Sequence, residues 1–301
     1  MTSRSSRTRW VSVVATTVLI ATGSLVAAQP AAAAYTAQSK TPVLATVVGT
    51  QPALPATVEV TTDRGTVESV PVQWQQADPA SLATAYTRTI VSGTASGDGG
   101  QLSVSAKVWA VPDDLVYLID TGRAGGASEI VDAVKTLRGS ALLNDLPDRK
   151  AATADQTWGY IERNPATAER VTVTAGSADD WATSYLTDDN DGDEGLSYRL
   201  GLDRGRFRVS AAHVPRRTQT HGSWINVRGD QEDRREVAVT QSADGLRPPV
   251  WVSHDVALLE PGSITYETQK VQTTGGLNAS VSLIAVQSLP GDPTVPSIPA
   301  S

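Results

Sequence analysis

The chain has 301 residues, with 25 basic and 32 acidic side chains, a formal net charge of −7 and no cysteine. The missing thiols exclude disulfides, thiolate metal sites, a cysteine nucleophile and a lipid anchored on cysteine. The acidic balance weighs against nucleic acid and against an anionic membrane, because either would repel it.

Residues 1–34 read as an export signal. Arg4, Arg7 and Arg9 form a basic start, Trp10 to Val26 an apolar run broken by Thr16, Thr17, Thr22, Gly23 and Ser24, and Ala31 to Ala34 a small-residue cleavage site. Removing it leaves 22 basic against 32 acidic groups, a net charge of −10, on a chain starting near Tyr35. The run is too short and too interrupted for a good membrane span, which needs about 20 apolar residues. The expected location is extracellular.

Residues 35–41 and 290–301 have tail composition. From residue 42 the hydrophobic period is two, with short β-branched runs at Thr57 to Val60, Val67 to Trp74, Arg88 to Ser96 and Leu102 to Val111. Turn signals at Asp63-Arg64-Gly65, Asp78-Pro79 and Gly97 to Gly100 separate them. This spacing predicts a small β-sandwich over 42–112. In its last strand Trp109 shares the polar face with Lys107, so it is expected to pack against whatever follows Pro112. Trp74 is expected in the core.

A second unit is expected over 113–289. It opens with the extended run Leu115 to Asp120 and one helix, with Ser128 as its cap, Glu129 at its positive end, Lys135 and Arg138 at its negative end, and Gly139 to stop it. Ile130, Val131, Val134 and Leu137 form its apolar face. Alternation then returns at Trp158 to Ile161, Val171 to Ala175, Leu196 to Leu202, Arg206 to Val214, Trp224 to Val227, Glu236 to Thr240, Pro249 to Leu258, Ser263 to Val271 and Ala279 to Val286. Strands in this number after a single helix predict a jelly-roll sandwich, so the whole mature chain reads as all-β. Trp251 is expected in the core of this second sandwich.

Residues 42–111, with Val70-Pro71-Val72-Gln73-Trp74 and Thr89 to Thr94, resemble the bacterial immunoglobulin-like domains that accompany secreted carbohydrate-active enzymes of actinobacteria. Residues 115–288 resemble the jelly-roll, galactose-binding-like carbohydrate-binding modules that follow such domains in arabinofuranosidase-type glycoside hydrolases. The matching stretches are Val116 to Gly122, Asp132 to Lys135, Leu142 to Asp148, Thr157 to Tyr160 and Tyr198 to Leu202. After His213 this chain reads Val214-Pro215-Arg216-Arg217, where such modules carry an acidic residue and aromatics. The resemblance implies non-catalytic recognition of a polysaccharide or other glycan.

Catalytic strings are not evident. No carboxylate pair sits in a glycosidase signature, and no Gly-x-Ser-x-Gly elbow occurs. His213, His221 and His254 match no zinc spacing. The acidic stretch Asp188 to Glu194 fails the twelve-residue calcium loop at both ends, with Thr187 at the first position and Tyr198 at the last. No cofactor is expected, although a structural calcium elsewhere in a jelly roll stays open. The remaining lead is aromatic. Trp158, Tyr160, Trp181, Tyr185 and Trp224 fall at strand edges or in polar loops, where exposed rings would stack on sugar faces. Arg216, His221 or Asp180 are the polar partners expected for hydroxyls, and His213, read as a strand-end residue facing a loop, is placed with the same site. Two other readings stay open: an extracellular adhesion protein that binds another protein, and a polysaccharide hydrolase with an unrecognised carboxylate pair.

Overall fold

The computed structural model describes residues 32–122, 127–151, 156–161, 168–172, 184–188, 195–213, 219–227, 230–239, 249–270 and 280–293. It is all-β apart from one α-helix and short turns among the described residues, and its strands form two sandwich-like units.

The first unit contains β1 (Tyr35–Gln38), β2 (Val43–Val47), β3 (Thr57–Thr62), β4 (Val67–Trp74), β5 (Thr87–Gly97) and β6 (Gly100–Val111), hydrogen-bonded in the order β1-β3-β4-β5-β6-β2. One strand serves both layers: β4 pairs with β3 through Val67 to Pro71 and with β5 through Val72 to Trp74. Pro71 sits where the partner changes, a position that tolerates its missing N–H. The folded-over ribbon closes on Val58, Val60, Val70, Ala95 and Val104. As expected, Trp74 packs on this core, and its Nε1–H donates to the Pro55 carbonyl at 2.7 Å. Residues 35–41 are corrected from tail to structure, because β1 lies within them. The cause is Tyr35, whose ring occupies space that only glycine leaves free: a Cβ on Gly97 would fall 2.4 Å from its hydroxyl.

The second unit contains β7 (Leu115–Asp120), α1 (Glu129–Arg138), β8 (Trp158–Ile161), β9 (Ala168–Thr172), β10 (Ser184–Asp188), β11 (Leu196–Leu202), β12 (Gly205–His213), β13 (Gln219–Val227), β14 (Asp230–Val239), β15 (Val250–Leu258), β16 (Gly262–Lys270), β17 (Ser280–Val281) and β18 (Leu283–Leu289). They form a five-stranded sheet, β14-β13-β16-β11-β8, a four-stranded sheet, β15-β12-β18-β7, and a three-stranded sheet, β17-β10-β9. The chain passes from one large sheet to the other between β11 and β12 and again between β12 and β13, the crossing pattern of a jelly roll. Between the large sheets lie Tyr117, Ile119, Trp158, Tyr198, Leu200, Phe207, Val209, Ile225, Ile264, Tyr266 and Ile284. Residues 142–148 run beside β7, where Leu143 N–H donates to the Val116 carbonyl at 2.7 Å and Asp120 N–H to the Pro147 carbonyl at 2.9 Å.

The outer face of the four-stranded sheet is covered by the first unit. Leu115, Leu118, Ala212, Leu283 and Ala285 meet Trp109 and the apolar face of α1 in one buried cluster. Trp109 is 1 % exposed, so it does pack across the seam, with the Arg88 guanidinium 5.6 Å from its ring centroid. Glu129 at the start of α1 pairs with Lys107 of β6. Trp251 is corrected: it is half-buried at this seam rather than inside the second sandwich, stacked on Tyr86 at 4.8 Å. Two details of α1 also differ from expectation. Leu137 is exposed, and Ser128 holds the cap position without capping, because its hydroxyl donates to Asp120 Oδ2 at 2.7 Å.

Candidate functional site

Of the residues expected to meet a ligand, the structure puts two out of reach. Trp158 pairs with Leu200 in register, which puts it on the inner side of the five-stranded sheet, where it is 1 % exposed. Its Nε1–H donates to Asp145 Oδ1 at 3.3 Å, and the Arg149 guanidinium covers its ring at 4.5 Å. It offers no open face, and the expectation of a stacking platform there is corrected. Tyr160 pairs with Tyr198 and meets it edge-on at 6.2 Å, half-buried against the same core. His213 is also corrected: it is fully enclosed between the sheets rather than facing a loop. Tyr185 lies in β10 opposite Val171. Trp181 and Arg216 lie outside the described residues, as does most of the acidic stretch after Asp188.

His213 belongs to a buried polar chain that joins the two large sheets. Its Nδ1–H donates to the Ser280 carbonyl at 2.6 Å, which leaves Nε2 to accept from the Tyr266 hydroxyl at 3.2 Å. Ser223 Oγ donates to the Tyr266 oxygen at 3.1 Å and, having spent its one proton, accepts from His254 Nε2 at 3.0 Å. Burial pushes the His213 imidazole down to about 4, with the nearby His254 adding to the effect and the Ser280 carbonyl opposing it. Burial likewise raises the Tyr266 phenol. At neutral pH His213 is therefore uncharged and hydrogen-bonded through both ring nitrogens, as a dry interior requires.

Directly on the other side of the same two strands lies a polar row. Ser223 and Tyr266 face inward, so their chain neighbours occupy the alternate register positions. In register across the sheet these are Ser197 on β11, Glu267 on β16 and Trp224 on β13, and one step along, Arg199, Thr265 and Asn226. Glu267 is 7 % and Ser197 3 % exposed although they sit on the side turned away from the core, while Arg199, Thr265 and Gln269 are half-buried. Trp224 coincides with a β-bulge. Ser223 pairs with Arg235 and Ile225 with Glu232, so Asp233 and Arg234 of β14 both stand opposite Trp224. Bulges of this kind gather near functional sites, where they re-aim a side chain. Sequence reasoning named Trp224 and passed over Glu267, Ser197 and Arg199, which lie near it in register. The signal available was the polar alternation Ser263-Thr265-Glu267 against inward Ile264 and Tyr266.

The buried carboxylates elsewhere serve the fold. Asp120 accepts from Ser128, and Asp148 accepts from the Tyr198 hydroxyl at 3.3 Å. A furrow of about 590 Å³ at the seam, between β3 and the Glu129, Asp132, Ala133 and Thr136 stripe of α1, is lined by mixed apolar and charged groups. Among the described residues no three His, Asp or Glu side chains converge as metal ligands.

Residues 40–97 match the family model of the bacterial Ig-like domain, group 4. No curated protein matches the chain. Among solved structures, a family 35 carbohydrate-binding module from Clostridium thermocellum is 14 % identical, over 43 % of this chain and 90 % of its own, with a TM-score of 0.31. The family 35 module from Paenibacillus barcinonensis is 16 % identical, over 44 % and 94 %, with a TM-score of 0.30. A calcium-binding mutant of Bacteroides uniformis β-glucuronidase 2 is 13 % identical over 82 % of this chain, which spans only 29 % of that protein, with a TM-score of 0.36. Likenesses this distant carry no argument about what the chain binds.

Proposed function

We propose that the chain is a secreted, non-catalytic carbohydrate-binding protein, with the glycan lying on the outer face of the five-stranded sheet. The observation that carries this reading is a run of outward register positions, Arg199 and Thr265, both half-buried, with Trp224 and Asn226 beside them and the buried Ser197 and Glu267 in the adjoining register row. One acid, one guanidinium, hydroxyls, an amide and a single aromatic match the chemistry of a sugar, whose hydroxyls need both donors and acceptors and whose C–H face needs a flat apolar partner. The bulge opposite Trp224 supports a position where side-chain placement matters. A binding role also suits the buried aspartates, which are engaged in holding strands and helix together.

The test is affinity electrophoresis of the full chain at pH 7.5 through gels containing soluble xylan, mixed-linkage β-glucan or galactomannan, with Trp224→Ala and Glu267→Gln alongside. At least one polysaccharide should retard the parent. Loss of one ring platform, about 0.5 to 1.5 kcal/mol, should weaken binding up to about tenfold in Trp224→Ala. Retardation by none of the polymers, or equal retardation in both variants, overturns the assignment.

A further inference from the structure

An open strand edge of the first unit faces the furrow at the seam. β2 is the last strand of its sheet and pairs, among the described residues, with β6 alone, which runs parallel to it. Lys107 N–H donates to the Pro42 carbonyl and Val48 N–H to the Val111 carbonyl, both at 2.9 Å. With Val43 in register with Lys107, the main-chain groups of residues 42, 44, 46 and 48 turn towards β6, and those of Val43 and Ala45 turn away from it. The facing wall repeats the pattern. Val72 N–H donates to the Ala56 carbonyl at 3.0 Å with Val58 opposite Val70, so Thr57 turns its N–H and carbonyl away from β4. β1 covers that edge only as far as Glu59, whose carbonyl accepts from Ser39 N–H at 2.9 Å. Val43 and Thr57 both line the furrow, whose volume of about 590 Å³ falls within the range of ligand clefts.

We propose that this furrow is a docking site for an extended segment of a partner protein, added as a strand to the edge of β2, with lysine or arginine alternating with apolar residues. A strand edge offers N–H and carbonyl groups at a fixed repeat, which another extended main chain matches and a sugar does not. About four or five residues, at about 3.3 Å each, would run the wall from Lys40 to Leu44. The alternation follows from the walls. Side chains on the α1 side of such a strand would pass Glu129, Asp132 and Thr136, which form one stripe of the helix. Side chains on the other side would meet Leu44, Pro55 and Val58.

The charge of the walls selects the basic residues. Glu59, Glu129 and Asp132 line the furrow against a single cation, Lys40. Glu129 is taken by Lys107, whereas Glu59 and Asp132 are exposed, stand on opposite walls and make no ion pair with any described residue. A chain of net charge −7 also draws cationic partners towards it over longer range. The site lies at the seam, on the opposite side of the second sandwich from the proposed glycan row, and does not depend on it.

The test is fluorescence anisotropy of three labelled peptides on the full chain at pH 7.5 and about 0.05 M salt, where screening is weak. Acetyl-TKVKVKT-amide should bind saturably, and its acidic counterpart acetyl-TEVEVET-amide at least ten times more weakly. The third is the basic peptide N-methylated at alternate residues, in two versions that block one edge or the other. At least one version should lose tenfold or more, because each main-chain hydrogen bond lost is worth about two- to tenfold. Asp132→Lys should weaken the basic peptide by about two- to tenfold at low salt. Val43→Pro, which removes an N–H that is not spent on β6, should do so by a similar factor at either salt. No saturable binding of the basic peptide, equal binding of the basic and acidic peptides, or undiminished binding of both N-methylated versions overturns the proposal, and none of these arms depends on a variant folding. Unchanged affinity in both variants overturns it as well. A dimer of the chain in sedimentation that Val43→Pro dissolves would assign the edge to a second copy and overturn the partner reading.

Discussion

Asn144 makes, with one side chain, both hydrogen bonds that a neighbouring strand residue would offer Leu118: its Oδ1 accepts the Leu118 N–H at 2.9 Å and its Nδ2–H donates to the Leu118 carbonyl at 2.7 Å. β7 is the edge of the four-stranded sheet, and Leu143, Asn144 and Pro147 together close its open side. Exposed edges invite pairing with other chains, and a covered one does not. Replacing Asn144 with Ala would leave a buried N–H and a buried carbonyl without partners, at about 1 to 3 kcal/mol each. Denaturant unfolding of Asn144→Ala should show a loss of about 2 to 6 kcal/mol, and light scattering should show greater self-association.

Trp109 belongs to the first unit by chain and to the second by contact. Because one apolar cluster is shared, the full chain should unfold in a single calorimetric transition rather than two. Trp109→Ala should cost about 3 to 5 kcal/mol and split the transition, with the first unit melting apart from the second. Two well-separated transitions in the parent would refute the shared core.

The Glu129 carboxylate lies against Lys107 and 3.9 Å from Arg88, all of them partly open to solvent. Exposed pairs are worth about 0 to 1 kcal/mol, so Glu129→Gln should shift the unfolding midpoint only slightly, and less still in molar salt. The seam is held by Trp109 and the apolar face of α1, not by this charge cluster.

Global stability should follow His213 in a definite direction. Its value is depressed in the folded state, so the unfolded chain binds the extra proton first, and stability falls as pH drops below about 6.5 and levels off below about 4. The full loss for this fully buried group is about 3 kcal/mol at 1.36 kcal/mol per unit. Urea midpoints measured from pH 7.5 to 4 should show this slope in the parent and a shallower one in His213→Gln.

Processing should leave β1 whole. Tyr35 N–H donates to the Gly99 carbonyl and β1 pairs with β3, so a chain that starts at Tyr35 keeps this strand joined to the first unit. Mass spectrometry of secreted protein should give a first residue at or near Tyr35. A mature chain starting beyond Gln38 would lack β1 and contradict the proposal.

Much of the architecture was legible because it rests on alternation. Leu196 to Leu202 and the helix from Glu129 to Arg138 carry their period in the sequence itself. Tyr35 could not be read as ordered, because what orders it are two glycines about sixty residues away. Trp158 looked like a platform from its position at the head of a short polar-edged run. Its burial follows from pairing with Leu200 and from the Arg149 side chain above it, both long-range facts. The row around Glu267 was hidden for the same reason: it exists only once β11, β16 and β13 are placed side by side. His213 and His254 are 41 positions apart and show their common role only through Tyr266 and Ser223 from the opposite sheet.

The first unit covers the outer face of the four-stranded sheet, while the proposed glycan row lies on the outer face of the five-stranded sheet across the sandwich. The molecule therefore has a back and a front. A ligand held at the proposed row would then meet residues of the second unit, and a partner that held the protein by its back would meet the first.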